Sequence, residues 1–157
     1  MSEKRKEIEQ VASNRKAMHN YEILETIEAG INLEGPEVKS LRLKQASMDG
    51  SFAVATKEEV FVHNLHISPY SFNKTSVINP LRTRKLLLKK REIKKLNSQT
   101  TIKGNTLIPL EIYFKHGWAK IKLALAKGKN TIDKRDTLRK KDVSRELSRD
   151  FKNKYKV

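Results

Sequence analysis

Histidine is the first residue type to consider for metal binding or acid–base catalysis, and the chain has four. His63 and His66 form the one close pair. Residues three apart on a strand point to opposite faces, so this pair is poorly placed to share a metal ion. Structural contacts or stacking on RNA bases suit these side chains better. His19 and His116 have no companion ligands nearby in the sequence, and we predict no metal site.

The sequence also lacks the motifs of nucleophilic and phosphate chemistry. No P-loop, G-x-S-x-G or H-E-x-x-H pattern occurs. The 18 acidic residues show no pairing that suggests general acid–base work. Cysteine is absent, which excludes disulfides and Cys-ligated zinc and permits a reducing compartment. We predict that the protein is not an enzyme, has no catalytic residues and uses no cofactor.

The charge balance indicates the kind of partner. Lys and Arg number 34 against 18 Asp and Glu, a net charge of +16 in 157 residues. A charge this large implies a polyanion, either nucleic acid or an anionic membrane surface, since solubility needs much less. No apolar run approaches the roughly 18 residues that span a bilayer, so the membrane is the weaker alternative. The first ten residues contain no apolar segment typical of a secretory signal, so a cytoplasmic location is expected.

Basic residues are interleaved with aromatic residues and histidine in two short segments. Such a mixture suits phosphate contacts combined with stacking on unpaired RNA bases. Tyr21 and Trp118 could equally be core residues. Together with the charge, the pattern favours RNA binding over a protein-only scaffold. The residues concerned are Arg15, Lys16, His19 and Tyr21 in the first segment, and Lys115, His116, Trp118 and Lys120 in the second.

The strongest structural signal is a strand that leads directly into a basic tail. In the segment that begins at Trp118, one face carries the apolar residues Ala119, Ile121, Leu123 and Leu125, and the other face carries Lys120 and Lys122. This period of two predicts a strand with one buried and one solvated face. The alternation stops at Lys127, and Gly128 breaks it. The following residues are mostly charged.

The rest of the chain reads mainly as short strands. A bulge or bend is expected at Ala29–Gly30, and Pro109 indicates an edge strand or a bulge. Five or six short strands without βαβ alternation favour an antiparallel barrel or sheet with added helices over a doubly wound fold. The further predicted strands are residues 21–33, 51–55, 59–64 and 106–114.

Two helices are predicted inside the body. Gly35-Pro36 begins one of about nine residues, with Glu37 in the first turn, where a carboxylate suits the helix dipole. A second helical region covers residues 84–97. We divide the chain into a flexible N-terminal arm or short helix (1–13), an RNA-binding body (14–128) and a basic C-terminal tail (129–157).

The tail carries an apolar residue at every fourth position. This stripe predicts a helix that is too short and too narrow to be stable alone. We expect the tail to be disordered when free and helical against a partner. The alternative is a tail that packs its stripe on the body. The stripe consists of Val143, Leu147, Phe151 and Tyr155.

A set of motifs, in this order, resembles the SmpB family of bacterial SsrA-binding proteins over roughly residues 11–136. E-V-K-S-L-R and R-K-L-L-L are its most specific parts. Beyond residue 138 the tail matches only in being basic and weakly helical. The motifs are Asn14-Arg15-Lys16-Ala17, Tyr21, Glu28-Ala29-Gly30, Glu37-Val38-Lys39-Ser40-Leu41-Arg42, Asn64-Leu65-His66-Ile67-Ser68-Pro69-Tyr70, Arg82-Thr83-Arg84-Lys85-Leu86-Leu87-Leu88, Ala126-Lys127-Gly128-Lys129 and Asp133-Lys134-Arg135.

The resemblance implies a mainly β protein with an OB-type antiparallel barrel and flanking helices. It implies binding to the tRNA-like domain of transfer-messenger RNA (tmRNA, or SsrA RNA) and delivery of that RNA to stalled 70S ribosomes. This process, trans-translation, rescues the ribosome and tags the incomplete peptide. Elongation factor Tu with GTP is an implied partner through the tmRNA complex, and a monomer is expected. The alternative function is a generic basic OB-fold RNA-binding or ribosomal protein.

The predicted site residues, taken from the resemblance and from the residue pattern together, form two groups. In the first, Glu28 and Leu87 match positions that grip the RNA, although an ordinary salt bridge to a lysine is the alternative for Glu28. The predicted RNA-binding residues are Asn14, Arg15, Lys16, Tyr21, Glu28, Leu87, Lys120, Lys122, Lys127, Gly128 and Lys129. Those predicted for the decoding centre and the messenger channel are Asp133, Lys134, Arg135, Lys140, Lys141, Arg145 and Phe151.

Overall fold

The computed structural model describes residues 8–74, 77–129, 139 and 141–149. Residues 141–149 are helical. None of the helices in these ranges is long and apolar enough to cross a membrane. The elements before the tail are β1 (Ile8–Ser13), α1 (Arg15–Asn20), β2 (Tyr21–Ile31), α2 (Gly35–Arg42), β3 (Ala46–Ser47), β4 (Phe52–Ala55), β5 (Val60–His63), β6 (His66–Ile67), β7 (Arg84–Leu87), α3 (Lys90–Thr100), β8 (Asn105–Lys115) and β9 (Trp118–Gly128).

The strands pair in antiparallel ladders that return to their starting strand. β8 pairs with β4, and the ladders continue through β5, β7, β2 and β9 back to β8. β1 pairs with residues 111–115 of β8, on the same edge of β8 that pairs with β4 at Leu107. β3 and β6 form a separate two-stranded ladder. The predicted antiparallel sheet with added helices is confirmed, as are the strands near 51–55, 59–64 and 106–114.

β9 lies between two long ladders and supplies much of the core. Ile121, Leu123 and Leu125 are buried in the main core, as their alternation predicted. On the opposite face Ala124 and Ala126 are buried too, in a small cluster with Ala17 of α1. The predicted solvated face of β9 is therefore limited to its first half, where Lys120 and Lys122 are half-exposed.

The N-terminal segment differs from the expected flexible arm or short helix. Residues 8–13 form β1, whose register with β8 runs from Ile8 opposite Lys115 to Ser13 opposite Glu111. Side-chain burial along β1 is slight, so the sequence lacks the alternation that marks a strand. β1 is stabilised by backbone hydrogen bonds to the edge of β8. Backbone pairing leaves no pattern in the side chains, so the sequence does not reveal it.

The start of the second predicted helix is wrong. Residues 84–87 form β7, in which Arg84 and Leu86 are buried while Lys85 and Leu87 are exposed. The alternation in β7 covers only four residues and overlaps the apolar run at residues 86–88. A short apolar run does not distinguish a strand from a helix. The helix itself begins at Lys90 and extends to Thr100.

Register shifts occur at one predicted place and at two unpredicted places, one of which lies in β1 between Gln10 and Ala12. The β8–β9 register shifts between Pro109 and Glu111, which confirms the predicted bulge. In β2 the shift lies between Ile23 and Glu25, and Ala29–Gly30 stays in regular register, so the bulge predicted there is wrong.

A buried ion pair joins α2 to β7. Arg84 has no exposed surface and Glu37 only 4%. The Nε of Arg84 donates to Oε2 of Glu37, while its Nη1 and Nη2 donate to the carbonyls of Leu65 (2.6 Å) and Pro80 (3.0 Å). The Nε of Arg82 donates to the other carboxylate oxygen at 2.6 Å. Burial lowers the pKa of Arg84, and its hydrogen bond to Glu37 opposes that effect.

We predict that Glu37→Gln lowers the free energy of unfolding by about 3 kcal/mol, because the buried Arg84 would lose its counter-charge. The measurement is chemical denaturation at neutral pH. Glu34→Gln is the matched control, since Glu34 precedes the same helix, is exposed and makes no side-chain capping bond. Its effect should stay within about 0.5 kcal/mol. Equal stability of the two variants would contradict a structural role for the pair.

Candidate RNA-binding surface

Three neighbouring strands bring four of the predicted RNA-binding residues onto one outward face. Leu87 of β7 lies opposite Gly30 of β2, which lies opposite Lys120 of β9. Two residues along, Glu28 lies opposite Lys122. Paired residues and residues two apart share a face, so Leu87, Glu28, Lys120 and Lys122 point to the same side of the sheet. We call this the β2–β7–β9 face.

The carboxylate of Glu28 is held by two side chains of β8. The hydroxyl of Tyr113 donates to Oε2 of Glu28, and Nζ of Lys115 lies 3.7 Å from the same oxygen. The Tyr113 hydrogen bond lowers the pKa of Glu28, and the charges of Lys115 and Lys120 add to that effect against the opposing effect of burial. Glu28 is therefore an oriented, ionised acceptor whose main partner is a tyrosine, whereas the sequence offered a lysine salt bridge as the alternative.

Burial and the neighbouring Glu28 carboxylate raise the pKa of Tyr113, so its hydroxyl stays protonated as a donor. The sequence placed Tyr113 on a strand and gave it no role. Because Tyr113 and Glu28 are 85 residues apart, only the β2–β9–β8 pairing brings them together. No spacing rule in the sequence could have found this contact.

A polar groove of about 440 Å³ runs beside Glu28. Lys122 lies between two carboxylates there, because it pairs with Glu28 on β2 and Glu111 on β8. The groove offers both donors and acceptors, which suits recognition of base edges and ribose hydroxyls. Its lining residues are Ile8, Gln10, Thr26, Ile27, Glu28, Glu111, Tyr113 and Lys122.

A second groove, of about 410 Å³, opens on the other side of Gly30. Leu87 is 55% exposed and Trp118 is 73% exposed along it. The sequence left open whether Trp118 is a core residue, and its exposure shows that it is not. Tyr21 was the other aromatic residue that could either stack on RNA or belong to the core. It is half-buried against the small cluster beneath α1.

Four more of the predicted RNA-binding residues lie at the far end of β9: Tyr21, Lys127, Gly128 and Lys129. Gly128 pairs with Tyr21, and the backbone N–H of Lys129 donates to the carbonyl of Asn20 at 3.1 Å. Lys127 is exposed nearby. Eight residues of strand separate Lys120 from Gly128, a distance of about 27 Å. These four residues therefore lie apart from the β2–β7–β9 face.

Three predicted residues sit at the start of α1, and one of them is not on the surface. Asn14 is buried; its Oδ1 accepts from the N–H of Ala17 (3.2 Å), and its Nδ2 donates to the carbonyl of Pro109 (3.2 Å). This side chain therefore fixes α1 on β8, and its RNA contact stays a prediction. Arg15 and Lys16 are exposed on that helix.

In the tail, Lys141 and Arg145 are exposed on the helical residues 141–149. Val143 and Leu147 of the apolar stripe are 55% and 64% exposed, so this half of the stripe does not pack on the body. Disorder of the free tail stays a prediction. Five of the residues predicted to act in the tail lie outside the described residues: Asp133, Lys134, Arg135, Lys140 and Phe151.

Tyr113→Phe should raise the pKa of Glu28 toward its ordinary value, since the variant removes the hydroxyl that lowers it most. A carboxylate whose pKa is lowered by folding stabilises the fold above its unfolded pKa, and that contribution is lost as the pH falls. The variant should therefore show a smaller stability loss on acidification. Carboxyl-carbon NMR titration measures the pKa, and Glu25, which pairs with Lys95, is the internal control. An unchanged Glu28 titration would contradict the assignment.

Comparison with known proteins gives a consistent picture. A family model described as SmpB protein matches residues 11–153. The SsrA-binding protein of Elusimicrobium minutum (strain Pei191) is 57% identical over 145 residues, which cover 92% of each chain. The SsrA-binding protein of Caldanaerobacter subterraneus subsp. tengcongensis is 48% identical over 154 residues, 98% of each chain.

A solved structure described as "tmRNA-SmpB: a journey to the center of the bacterial ribosome" matches with a TM-score of 0.65 and 49% identity. The match covers 76% of this chain and 85% of that one. The family model and the relatives each span most of the sequence. The chain therefore belongs to the SmpB family.

Proposed function

We propose that this protein binds the tRNA-like domain of tmRNA and delivers it to stalled ribosomes for trans-translation. Relatives at 48–57% identity are SsrA-binding proteins, and the matching solved structure concerns tmRNA and SmpB in the bacterial ribosome. The observation that carries the proposal is the oriented carboxylate of Glu28 between lysines on the β2–β7–β9 face. The net charge of +16 supplies the attraction to RNA.

Each group on this face has a distinct task. Lys120 and Lys122 contact phosphates, which position an RNA without reading it. Glu28 accepts hydrogen bonds from base N–H groups or ribose hydroxyls, and these groups distinguish one RNA surface from another. Tyr113 keeps the carboxylate in one orientation, so less conformational freedom is lost when RNA binds.

The far end of β9 supports a second task. Lys127, Gly128 and Lys129 lead from the body into the tail, about 27 Å from Lys120 along the strand. We assign the residues from Asp133 to Arg135 to the decoding centre, and the helix of residues 141–149 to the empty messenger channel. An exposed helix this short is marginal alone, so a channel wall that covers Val143 and Leu147 would stabilise it.

The remaining parts of the proposal concern fold and assembly. The ladders that run from β8 through β4, β5, β7, β2 and β9 support an OB-type barrel. We propose a cytoplasmic monomer that is not an enzyme and that meets elongation factor Tu and GTP through the tmRNA complex. In the described part of the chain, no three His, Asp or Glu side chains gather as a metal site would require.

Glu28→Ala should weaken binding of the tRNA-like domain by roughly 10- to 100-fold, the loss expected for a hydrogen-bonding charged group. Leu87→Ala should also weaken it. Gel shift against tmRNA and a size-matched RNA at physiological salt is the measurement. Glu25→Ala is the matched control, because Glu25 is on the same strand but pairs with Lys95 of α3. Equal wild-type affinity for both RNAs would favour the alternative function, a generic basic RNA-binding protein.

Removal of all residues after Lys129 should leave the affinity for tmRNA nearly intact and abolish peptide tagging. The reason is that the β2–β7–β9 face would remain, whereas the segment assigned to the ribosome would be gone. A reconstituted tagging assay beside the gel shift separates the two effects. A truncated protein that lost most of its RNA affinity would contradict the division between body and tail.

A further inference from the structure

The apolar groove next to Leu87 differs in character from the polar groove beside Glu28. Five elements and the turn before β9 line the apolar groove: Gly30 comes from β2, Val38 from α2, Leu87 from β7, Phe114 from β8 and Trp118 from β9. Its volume of about 410 Å³ exceeds what one side chain would fill. Large apolar side chains line an open groove here, and such a groove on a soluble protein usually marks a binding site.

Trp118 forms the most exposed wall. The turn before it contains His116 and Gly117, both with positive φ (50° and 82°), as two-residue hairpin turns require. This tight turn places the indole at the rim, where 73% of the residue is exposed. A planar aromatic ring presented in this way is suited to stacking against another flat ring.

The rim of the groove is cationic. Lys120 projects from β9 next to Gly30, and the guanidinium of Arg42 lies 4.7 Å from the centre of the Phe114 ring. Glu28, the nearby carboxylate of the same face, is already bonded to Tyr113. An apolar floor with a positive rim matches a nucleotide, which has a flat apolar base and an anionic phosphate.

Glycine at position 30 keeps the floor of this groove open. A Cβ built at Gly30 would lie 3.2 Å from the Cβ of Leu87, its partner on β7. This distance is tighter than ordinary van der Waals contact, so any larger residue would push Leu87 aside. The strand pairing thus leaves a space where a base could lie against both Leu87 and Trp118.

We infer that the apolar groove holds one unpaired nucleobase of the bound RNA, stacked on Trp118 and supported by Leu87, with Lys120 and Arg42 near its phosphates. This inference rests on the proposed function and specifies how the same face would discriminate. Gly30 and Lys120 of this groove lie two residues along β2 and β9 from Glu28 and Lys122, on the same face, so a single RNA segment can reach both grooves.

The chain offers a direct probe, because Trp118 is its only tryptophan. Intrinsic fluorescence of the full-length protein therefore reports on this one ring. On titration with the tRNA-like domain of tmRNA, we expect strong quenching that saturates at the same RNA concentration as the gel shift. Bound RNA with unchanged tryptophan emission would overturn the inference and leave the proposed function standing.

Variants give a second, independent readout. Trp118→Ala should weaken RNA binding by roughly 5- to 100-fold, the usual effect of losing one base–aromatic stack. Trp118→Phe should restore most of the affinity. Phe72→Ala is the control, because Phe72 is 75% exposed but lies in the loop after Tyr70. Equal affinity of Trp118→Ala and Phe72→Ala would overturn the inference.

Salt dependence separates stacking from charge. Trp118→Ala should keep the wild-type slope of log affinity against log salt, because a stacked base releases no counterions. Lys120→Ala should reduce that slope by about one. A changed slope in Trp118→Ala would overturn the stacking role. Failure of the wild-type protein to bind the tRNA-like domain at all would instead reject the proposed function, and with it the inference.

Discussion

The buried pair of Glu37 and Arg84 fixes the geometry on which the candidate site depends. It joins the first turn of α2 to the first residue of β7, and the Arg84 guanidinium also bonds the carbonyls of Leu65 and Pro80. Each element then contributes a wall of the apolar groove, Val38 from α2 and Leu87 from β7. Since two buried charges require compensation within narrow geometric limits, the pair restricts how far these walls can shift.

Strand β9 supplies the second constraint. It pairs along its length with both β2 and β8, so its residues have little freedom to move apart. Lys120 near one end lines the apolar groove, whereas Gly128 at the other end leads into the tail. A paired strand is stiffer than a linker, and it holds the two regions at a set spacing of about 27 Å. This arrangement suits a protein that must place one partner at a fixed distance from another.

The sequence predicted those elements whose side chains carry the signal. β9 alternates over a long run and α2 begins with Gly-Pro, so both were identified. β1 and β7 were missed, because one is held by backbone pairing and the other is only four residues long. Glu37 was placed correctly in the first turn of its helix, but its burial depends on Arg84, 47 residues later.

The residues of the candidate site likewise fall into those that the sequence identified and those that it missed. Glu28, Leu87 and Lys120 were named from the family resemblance, and the register of three strands places them on one face. Tyr113 and the groove beside Trp118 were not, because they arise from contacts between distant segments. Asn14 was predicted as an RNA ligand although it caps a helix, since a cap and a surface asparagine look alike in sequence.

Two grooves of different character lie on one face, since Glu28 and Lys122 of the polar groove are two residues from Gly30 and Lys120 of the apolar groove. Together they give the proposed RNA-binding face more selectivity than charge alone. The polar groove presents an ionised carboxylate that Tyr113 holds in one orientation. Binding there is favoured for a ligand with a matching hydrogen-bond donor and disfavoured for an anion. The apolar groove favours an unpaired base that can leave the base stack of its own RNA. A duplex satisfies neither requirement, because its bases are paired and its surface is phosphate. An RNA fold with an unpaired base beside exposed donors satisfies both, which favours a structured RNA loop over an arbitrary helix.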